Sequence, residues 1–443
     1  MRERRLDDTG KTLFTNARII DPHSGSDIRG QLLVEKGKIV DFGQSLVTGT
    51  PENDVDVIDC KGHVLSPGLI DMRVFVGEPG AEHKETLGSA SRAAAAGGVT
   101  TLICMPNTDP VIDDVALVDF IERRARDTAI VHVHPMAALT KGLEGKQMTE
   151  MGLLAEAGAV GFTEGNKSLV DAQIMRRAMT YAANFDALIA QHAEEPSLSS
   201  AGCMNEGELA TRLGLPGVPP AAETIMVERD VRLLELTGAR YHLSQISSVE
   251  TLKIVERAKQ SGHQLTCAVS AHHLALNEND VASYRTFFKT NPPLRREEDR
   301  MSLVAGLSAR SIDVIVSSHD PQAPENKRLP FAQAAYGVVG LETLLAVALE
   351  LYHDGHLALM DALRAVTSRP AEILGLPSGK LTNGAPADLV LIDLERPFVI
   401  NAEELHSKTK NTPFDGHRFQ GRVLKTFVDG ITVFDSDQKE LAA

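Results

Sequence analysis

The sequence is poor in cysteine, lacks an excess of positive charge and has no long apolar run. Its 443 residues carry 60 acidic and 45 basic side chains, a formal net charge of −15. This balance argues against nucleic acid or an anionic membrane as the main partner. No run of about 18 apolar residues is present, so we predict no membrane span. The charged N-terminus, MRERRLDDTGK, also lacks the apolar middle of a secretory signal.

The cysteines are too few and too scattered for a disulfide framework or a thiolate metal site. They are Cys60, Cys104, Cys203 and Cys267, and no C-x-x-C pair occurs. Three of the four lie in apolar runs, which is typical of buried free thiols. We therefore predict reduced cysteines and a cytoplasmic location.

Apolar, strand-like runs alternate with helix-compatible segments through the middle of the chain. Eight such units within about 250 residues predict an α/β fold of the (β/α)8 TIM-barrel type. A doubly wound open sheet is the alternative, but no G-x-G-x-x-G opens a helix to support it. The eight runs are residues 66–76, 99–107, 129–139, 157–165, 187–195, 240–248, 264–273 and 312–321.

The two ends of the chain have a different pattern, with short strands, turn signals and no helices between them. Two all-β pieces that flank a barrel predict one small β-sandwich built from both termini. We predict that residues 12–65 form its N-terminal part, residues 66–375 the barrel and residues 376–435 its C-terminal part.

Functional residues of a TIM barrel lie at the C-terminal ends of its strands, so the polar residues there are the candidates. In strand order they are Asp71, Arg73 and Phe75; Asn107; His132 and His134; Glu164; His192 and Glu194; His242 and Gln245; His272 and His273; and Ser318, His319 and Asp320.

Several motifs at and between these positions resemble those of class I dihydroorotases, which belong to the amidohydrolase superfamily. The most specific are MNEG (204–207), NPPLR (291–295) and SKTKNTPFDG (407–416), and SPGLID (66–71) and QHAEEPSL (191–198) add to them. The resemblance covers nearly the whole chain. It implies an amidohydrolase-type barrel and one or two metal ions, usually zinc, that activate water and polarise the ring carbonyl of dihydroorotate.

The resemblance also implies a ligand set from which this sequence departs. The family uses a His-x-His pair on strand 1, a carboxylate or carboxylated lysine on strand 4, a histidine on each of strands 5 and 6, and an aspartate on strand 8 that is also the general base. Arg73 and Phe75 stand at the His-x-His positions. Arginine cannot ligate and repels a cation, and phenylalanine has no donor atom. Gln245 and Ser318 stand at the strand-6 and strand-8 positions.

Only His192 and Glu164 remain as candidate ligands, which is fewer than zinc requires. We therefore expect no metal and no catalytic residue at these positions, and we predict that Arg73 pairs with Glu164 in place of the ion. Gly77 stands where the family has a substrate-clamping arginine, and Gln322 stands where the usual strand-8 motif has its second histidine. Asn107 and Asn291 match substrate-contacting positions and are interpreted as remnants of the pocket.

Other histidines leave alternatives open. His132 and His134 form a second His-x-His on strand 3, and with His192 they could make a relocated metal site. More often such residues line the barrel or contact a loop. His319 and Asp320 are adjacent, so their side chains are expected to point apart rather than act as an acid–base pair.

The departures favour an inactive homologue, a pseudo-dihydroorotase that serves in de novo pyrimidine biosynthesis as a structural partner of aspartate transcarbamoylase. We expect it to be homo-oligomeric, without cofactor. The alternative is an active dihydroorotase with a degenerate or relocated zinc site. A third possibility is a regulator that binds a pyrimidine intermediate through Asn107, Asn291 and Glu164.

Overall fold

The computed structural model describes residues 10–44, 46 and 55–438, so most of the charged N-terminal segment lies outside it. Within these ranges, no helix combines the length and the apolar character needed to cross a membrane. All four cysteines are free and buried, as predicted. Burial raises the pKa of the Cys104 and Cys267 thiols to about 12, so both are unreactive at neutral pH.

The strands from the two termini form one mixed sheet, in the order β19-β18-β17-β5-β1-β2-β3 with β4 beside β1. Strand β5 joins the two parts, because Leu65 pairs in parallel with Ile19 and antiparallel with Leu391. The strands are β1 Lys11–Asp21, β2 Ser26–Glu35, β3 Lys38–Gly43, β4 Val55–Asp59, β5 Val64–Pro67, β17 Leu389–Val399, β18 Arg418–Val428 and β19 Ile431–Asp435.

This terminal sheet curls around its own core. Two strands, β17 and β5, lie between Phe14 on β1 and Phe427 on β18 in the sheet order, yet the two rings meet edge to face with centroids 5.0 Å apart. Leu32, Leu65 and Leu391 are buried in the same cluster. The prediction of a β-rich domain built from both termini is confirmed, with all of its strands in one continuous sheet.

The middle of the chain is a closed parallel barrel, as predicted. Each of the eight predicted runs contains its strand, and the third divides into two pieces. The barrel strands are β6 Leu69–Val74, β7 Val99–Cys104, β8 His132–Pro135, β9 Ala137–Ala138, β10 Phe162–Thr163, β11 Leu188–Gln191, β14 Arg240–Leu243, β15 Leu265–Ser270 and β16 Val314–Val316. Val74 pairs in parallel with His319, and the Phe75 amide donates to the His319 carbonyl at 2.8 Å. This closure between the first and last strands rules out the open-sheet alternative.

Helices cover the outside of the barrel, and polar caps define where several begin. The side chains of Asp114 and Asp171 accept hydrogen bonds from the first turns of α2 and α4. The helices are α1 Leu87–Ala96, α2 Val115–Thr128, α3 Met151–Glu156, α4 Ala172–Ala183, α5 Pro196–Ser199, α6 Glu208–Leu213, α7 Ala221–Thr237, α8 Val249–Gln260, α9 Ala271–Ala275, α10 Glu297–Ser308, α11 Pro324–Lys327, α12 Leu344–His353, α13 Leu359–Arg364 and α14 Ser368–Leu374. Single 3₁₀ turns lie at Lys141–Leu143, Glu278–Ser283, Thr286–Phe288 and Ala402–Glu404, and the short strands β12 Met204–Asn205 and β13 Gly217–Val218 pair with each other.

Two apolar clusters contributed by different barrel strands lie beneath the strand ends. One contains Met72 with residues of β11, β15 and β16, and the other contains Ile103, Met105, Met136 and Ala190. Phe75 packs against the second cluster. An apolar ring therefore occupies one of the positions where the family has a metal-binding imidazole.

Candidate functional site

A small cavity opens at the barrel mouth, the end of the barrel where the parallel strands finish. Its volume is about 60 Å³. It brings together residues that were predicted from different strand ends, namely Arg73, Phe75, His272, Ser318 and Asp320, and it also contains Asn291, which the family resemblance marked. It adds Asn166, Thr290, Tyr336, Gly337 and Val338, which no strand-end pattern marks.

A large cavity of about 620 Å³ lies beside the small one, and Asn166 lines both. Three of the predicted residues line the large cavity: Glu164, His192 and Glu194. The two candidate ligands that survive in the sequence, Glu164 and His192, therefore share one cavity, while the substituted strand-1 and strand-8 positions share the other.

Arg73 is the most unusual residue of the small cavity. Its side chain is buried, with a residue exposure of 2%, and it lies beside a register shift between Asp71 and Val74. Nη1 donates to the Gly165 carbonyl at 3.1 Å, and the guanidinium lies 5.1 Å from the Phe75 ring centroid. Burial lowers the pKa of Arg73 to about 10, against the opposing effect of more distant carboxylates. Arg73 is therefore still a cation at neutral pH.

The predicted ion pair between Arg73 and Glu164 is wrong. The Glu164 carboxylate instead accepts the Thr140 amide at 2.8 Å and the Thr140 hydroxyl at 2.9 Å. These bonds satisfy the carboxylate without a guanidinium. Burial still raises the pKa of Glu164 to about 7, so it is half protonated near neutral pH.

The remaining ligand positions are engaged within the protein. His192 Nε2 lies 2.8 Å from a carboxylate oxygen of Glu194, and Gln245 donates to the Asn291 carbonyl at 2.7 Å. Ser318 has a φ of 49°, a left-handed conformation that is uncommon outside glycine. None of these arrangements presents a set of donor atoms to a common centre.

The positions that bind substrate in the family have other contacts or too little space in this chain. A Cβ atom on Gly77 would lie 2.3 Å from the Ala81 carbonyl oxygen, so no side chain fits there without a backbone shift. Asn107 donates to Asn166 at 2.8 Å, and Gln322 donates to Asp320 at 2.7 Å. The family's arginine clamp has no place on this backbone.

The residues at the mouth do not fit the family's metal centre. Catalytic zinc uses three protein ligands and a water, and two-metal sites need more. Here Arg73 contributes a fixed positive charge and Phe75 an apolar ring, while Gln245 and Ser318 are poor ligands. We derive no metal-dependent step through this site.

The relocated metal site of His132, His134 and His192 is not formed. His132 Nε2 instead lies 3.2 Å from Asp388 and 3.8 Å from Asp429, at the junction with the terminal sheet. Among the residues that the structure describes, His132, Asp388 and Asp429 form a group of side chains whose ligand atoms are close enough to hold one metal ion. Burial, and then the neighbouring His132, lower the pKa of His134 to about 4. Because this group could hold an ion, the structure does not support the expectation that the chain binds no metal. For the barrel mouth, the absence of a metal stays a prediction.

Two further predicted histidines, His273 and His319, have local partners. His273 bonds to the Ser270 hydroxyl at 2.5 Å and to the Pro293 carbonyl at 3.2 Å, which is a structural role. His319 lies 3.6 Å from Glu85, whereas Asp320 accepts from Gln322. His319 and Asp320 thus face different partners and do not form an acid–base pair.

A closed (β/α)8 barrel joined to a sheet from both termini is a fold of the amidohydrolase type, and solved structures share it. The chain superposes on an L-hydantoinase (dihydropyrimidinase) from Arthrobacter aurescens with a TM-score of 0.86, at 23% identity over 96% of each chain. A dihydropyrimidinase from Brevibacillus agri NCHU1002 gives 0.84 at 20% identity, over 97% of this chain and 96% of that one. At these identities the likeness shows the fold alone.

Sequence comparison identifies the family. Residues 62–251 match the family described as dihydro-orotase-like, and residues 346–434 match the amidohydrolase family. A protein named dihydroorotase from Anaplasma phagocytophilum (strain HZ) is 46% identical over 427 residues, covering 96% of this chain and 95% of that protein. One from Syntrophus aciditrophicus (strain SB) is 40% identical over 96% of this chain and 100% of that protein. The chain belongs to the dihydroorotase family.

Proposed function

We propose that this member of the dihydroorotase family does not hydrolyse or close the dihydroorotate ring, and that it serves pyrimidine biosynthesis as an assembly partner of aspartate transcarbamoylase. The observation that carries the first part is Arg73, a buried cation at the mouth where the family needs a bound metal ion. A guanidinium stays protonated near pH 7 and repels a divalent cation.

The strand-8 position supports the same proposal. The family's aspartate there is both ligand and general base, and Ser318 is neither at neutral pH. Burial raises the pKa of Glu164 to about 7, but both of its carboxylate oxygens lie within hydrogen-bond distance of Thr140. General acid–base catalysis alone supplies only about 10²–10⁴-fold acceleration.

The proposed assembly role depends on the intact barrel and its surface, which this chain keeps although the metal ligands are replaced. The barrel is closed and its strand ends are packed, so the surface of the protein does not depend on the chemistry of the mouth. A surface can remain useful as an interface when the site it once carried is gone. We propose a homo-oligomer that binds aspartate transcarbamoylase through this surface. Mixing the purified proteins and measuring the mass of the complex by light scattering tests the pairing, and two unshifted masses would contradict it.

The alternative function is an active dihydroorotase, and the names of the relatives favour it. Proteins named dihydroorotase are 40–46% identical to this chain over nearly their whole lengths. In that case Glu164 and His192 are the residues of the large cavity that could take part.

Turnover separates the two functions. We expect the interconversion of dihydroorotate and carbamoyl aspartate to be at least about 100-fold slower than for a dihydroorotase with the His-x-His pair, because enzymes typically give 10⁶-fold or more and acid–base groups about 10⁴ at most. Added zinc should not raise the rate, and Arg73→His alone should not restore it, since other ligands are also missing. Turnover comparable to the control enzyme that is lost in His192→Ala would establish the alternative.

A further inference from the structure

We propose that the barrel mouth binds a small organic carboxylate, whose acid group pairs with the Arg73 guanidinium in the small cavity. The proposal goes beyond the assembly role, because it assigns a ligand to the altered mouth itself. It rests on the contacts of this chain's own Arg73, a residue type that the family's ligand set does not contain.

The first observation is a buried cation without a counter-ion. No carboxylate among the described residues lies within 4.0 Å of the Arg73 nitrogens, and Nε has no acceptor. Within the part of the chain that the structure describes, the Arg73 side chain has one hydrogen bond, to the backbone carbonyl of Gly165. Arg295, equally buried, donates to Ser247, Asn205 and the Val218 carbonyl. Burying an arginine without such partners is costly, so the guanidinium of Arg73 indicates a missing acceptor.

The second observation is that other unsatisfied polar atoms collect at the same end of the barrel. Native proteins leave few buried polar atoms unpaired, so a concentration of them marks a site for a ligand or ordered water. Besides Arg73 Nε, the buried atoms without a hydrogen-bond partner among the described residues include His272 Nε2. Asn107 Oδ1 and Gln245 Oε1 are also unpaired, and as acceptors they would pair with a donor group or water rather than with the carboxylate. His272 lines the small cavity together with Arg73 and can donate from its ring.

The two acids whose charges act on Arg73, Asp71 and Asp320, have partners of their own. Asp71 accepts the backbone amides of Arg73 and Ser317. Asp320 accepts from Gln322, and the charges of Lys84 and Lys327 act on it. Neither acid forms a salt bridge with the guanidinium, so the planar donor fork remains available to a carboxylate in the cavity.

The cavities set the size of the ligand. The small cavity of about 60 Å³ corresponds to roughly two water molecules, which suits an acid group and little else. Through Asn166 it adjoins the cavity of about 620 Å³, which can hold the rest of a larger acid. The ligand class is therefore a small organic acid that places one carboxylate at Arg73.

The test is calorimetric titration with malonate, at constant ionic strength, of the full-length protein and two variants. We expect malonate to bind the unaltered protein, and Arg73→Met to weaken binding at least tenfold. Arg232→Met removes a largely exposed arginine and should bind as the unaltered protein does. Malonamide, which has the shape without the charge, should not bind. A separate titration with inorganic phosphate distinguishes a general oxyanion site from a carboxylate site. We expect phosphate to bind more weakly than malonate.

Equal malonate binding by the Arg73→Met variant, or none by the unaltered protein, would overturn the proposal. If Arg73→Met does not fold, Arg73→Lys keeps the charge without the planar fork and should also bind at least tenfold more weakly. Crystals of the unaltered protein grown with malonate provide an independent check, since the proposal requires a carboxylate within hydrogen-bond distance of Arg73. No turnover is measured, so discovery of dihydroorotase activity would overturn the proposed function and leave this result intact.

Discussion

Replacing Glu164 by glutamine is expected to stabilise the protein at pH 8 by up to about 3 kcal/mol. Burial raises the pKa of Glu164 from an ordinary 4.5 to about 7, so the folded state holds a proton that the unfolded state releases. A raised carboxyl pKa contributes stability that is fully present below pH 4.5 and is lost as the pH rises through 7. Each pKa unit corresponds to about 1.4 kcal/mol, and glutamine removes the cost of the buried charge. Urea unfolding at pH 5 and pH 8 measures the difference, which should be much smaller at pH 5.

Glu194 provides a matched control with the opposite sign. Burial alone would raise the pKa of Glu194, but the hydrogen bond and charge of His192 outweigh it and lower the pKa to about 2. The stability from this carboxylate is therefore present above pH 4.5 and lost as the pH falls toward 2. Glu194→Gln should destabilise the protein at pH 8 by about 1–3 kcal/mol. If the two variants shifted stability in the same direction, the described environments of the two carboxylates would be incorrect.

Replacing Arg295 by methionine is expected to lower the free energy of unfolding by about 3–5 kcal/mol, because it breaks a buried polar network. Arg295 is 3% exposed and donates to the Ser247 hydroxyl at 3.0 Å, Asn205 at 2.9 Å and the Val218 carbonyl at 2.8 Å. The network continues to the buried Glu223, which accepts the Ser247 amide at 2.9 Å. Without Arg295, this carboxylate loses a positive charge that interacts with it.

The adjacent Arg296 is the control for this change. It is exposed, so Arg296→Met should alter the free energy of unfolding by no more than about 0.5 kcal/mol. Urea unfolding of both variants under the same conditions gives the comparison. A similar small effect for both would show that the last residue of the NPPLR motif does not stabilise the fold, contrary to its contacts.

The barrel could be predicted from the sequence because its strands are short, apolar and regularly spaced. Each predicted run contains its strand, and the strand-end rule marked Arg73, His272 and Ser318, which share one cavity. The substitutions at the ligand positions are equally visible in the sequence, because they depend on residue type and not on geometry.

Side-chain partners could not be predicted in the same way. Thr140 satisfies Glu164 from 24 residues away, so the expected pair with Arg73 does not form. His132 bonds to Asp388 across 256 residues, a contact that depends on how the terminal sheet meets the barrel. The obstruction at Gly77 is likewise set by a turn that brings the Ala81 carbonyl close. These contacts decide what each side chain does, and they are determined by loops and by the packing of distant segments.

Zinc stoichiometry of the purified protein, measured by mass spectrometry beside His132→Ala, tests the absence of a metal centre at the barrel mouth most directly. The His132 variant removes the other group of described residues that could hold an ion, so any zinc that remains belongs elsewhere. We predict no stoichiometric zinc in His132→Ala, whether or not the unaltered protein carries an ion at the junction. One or two zinc ions per chain that persist in His132→Ala and are lost in His192→Ala would contradict the account and place a working metal site at the mouth.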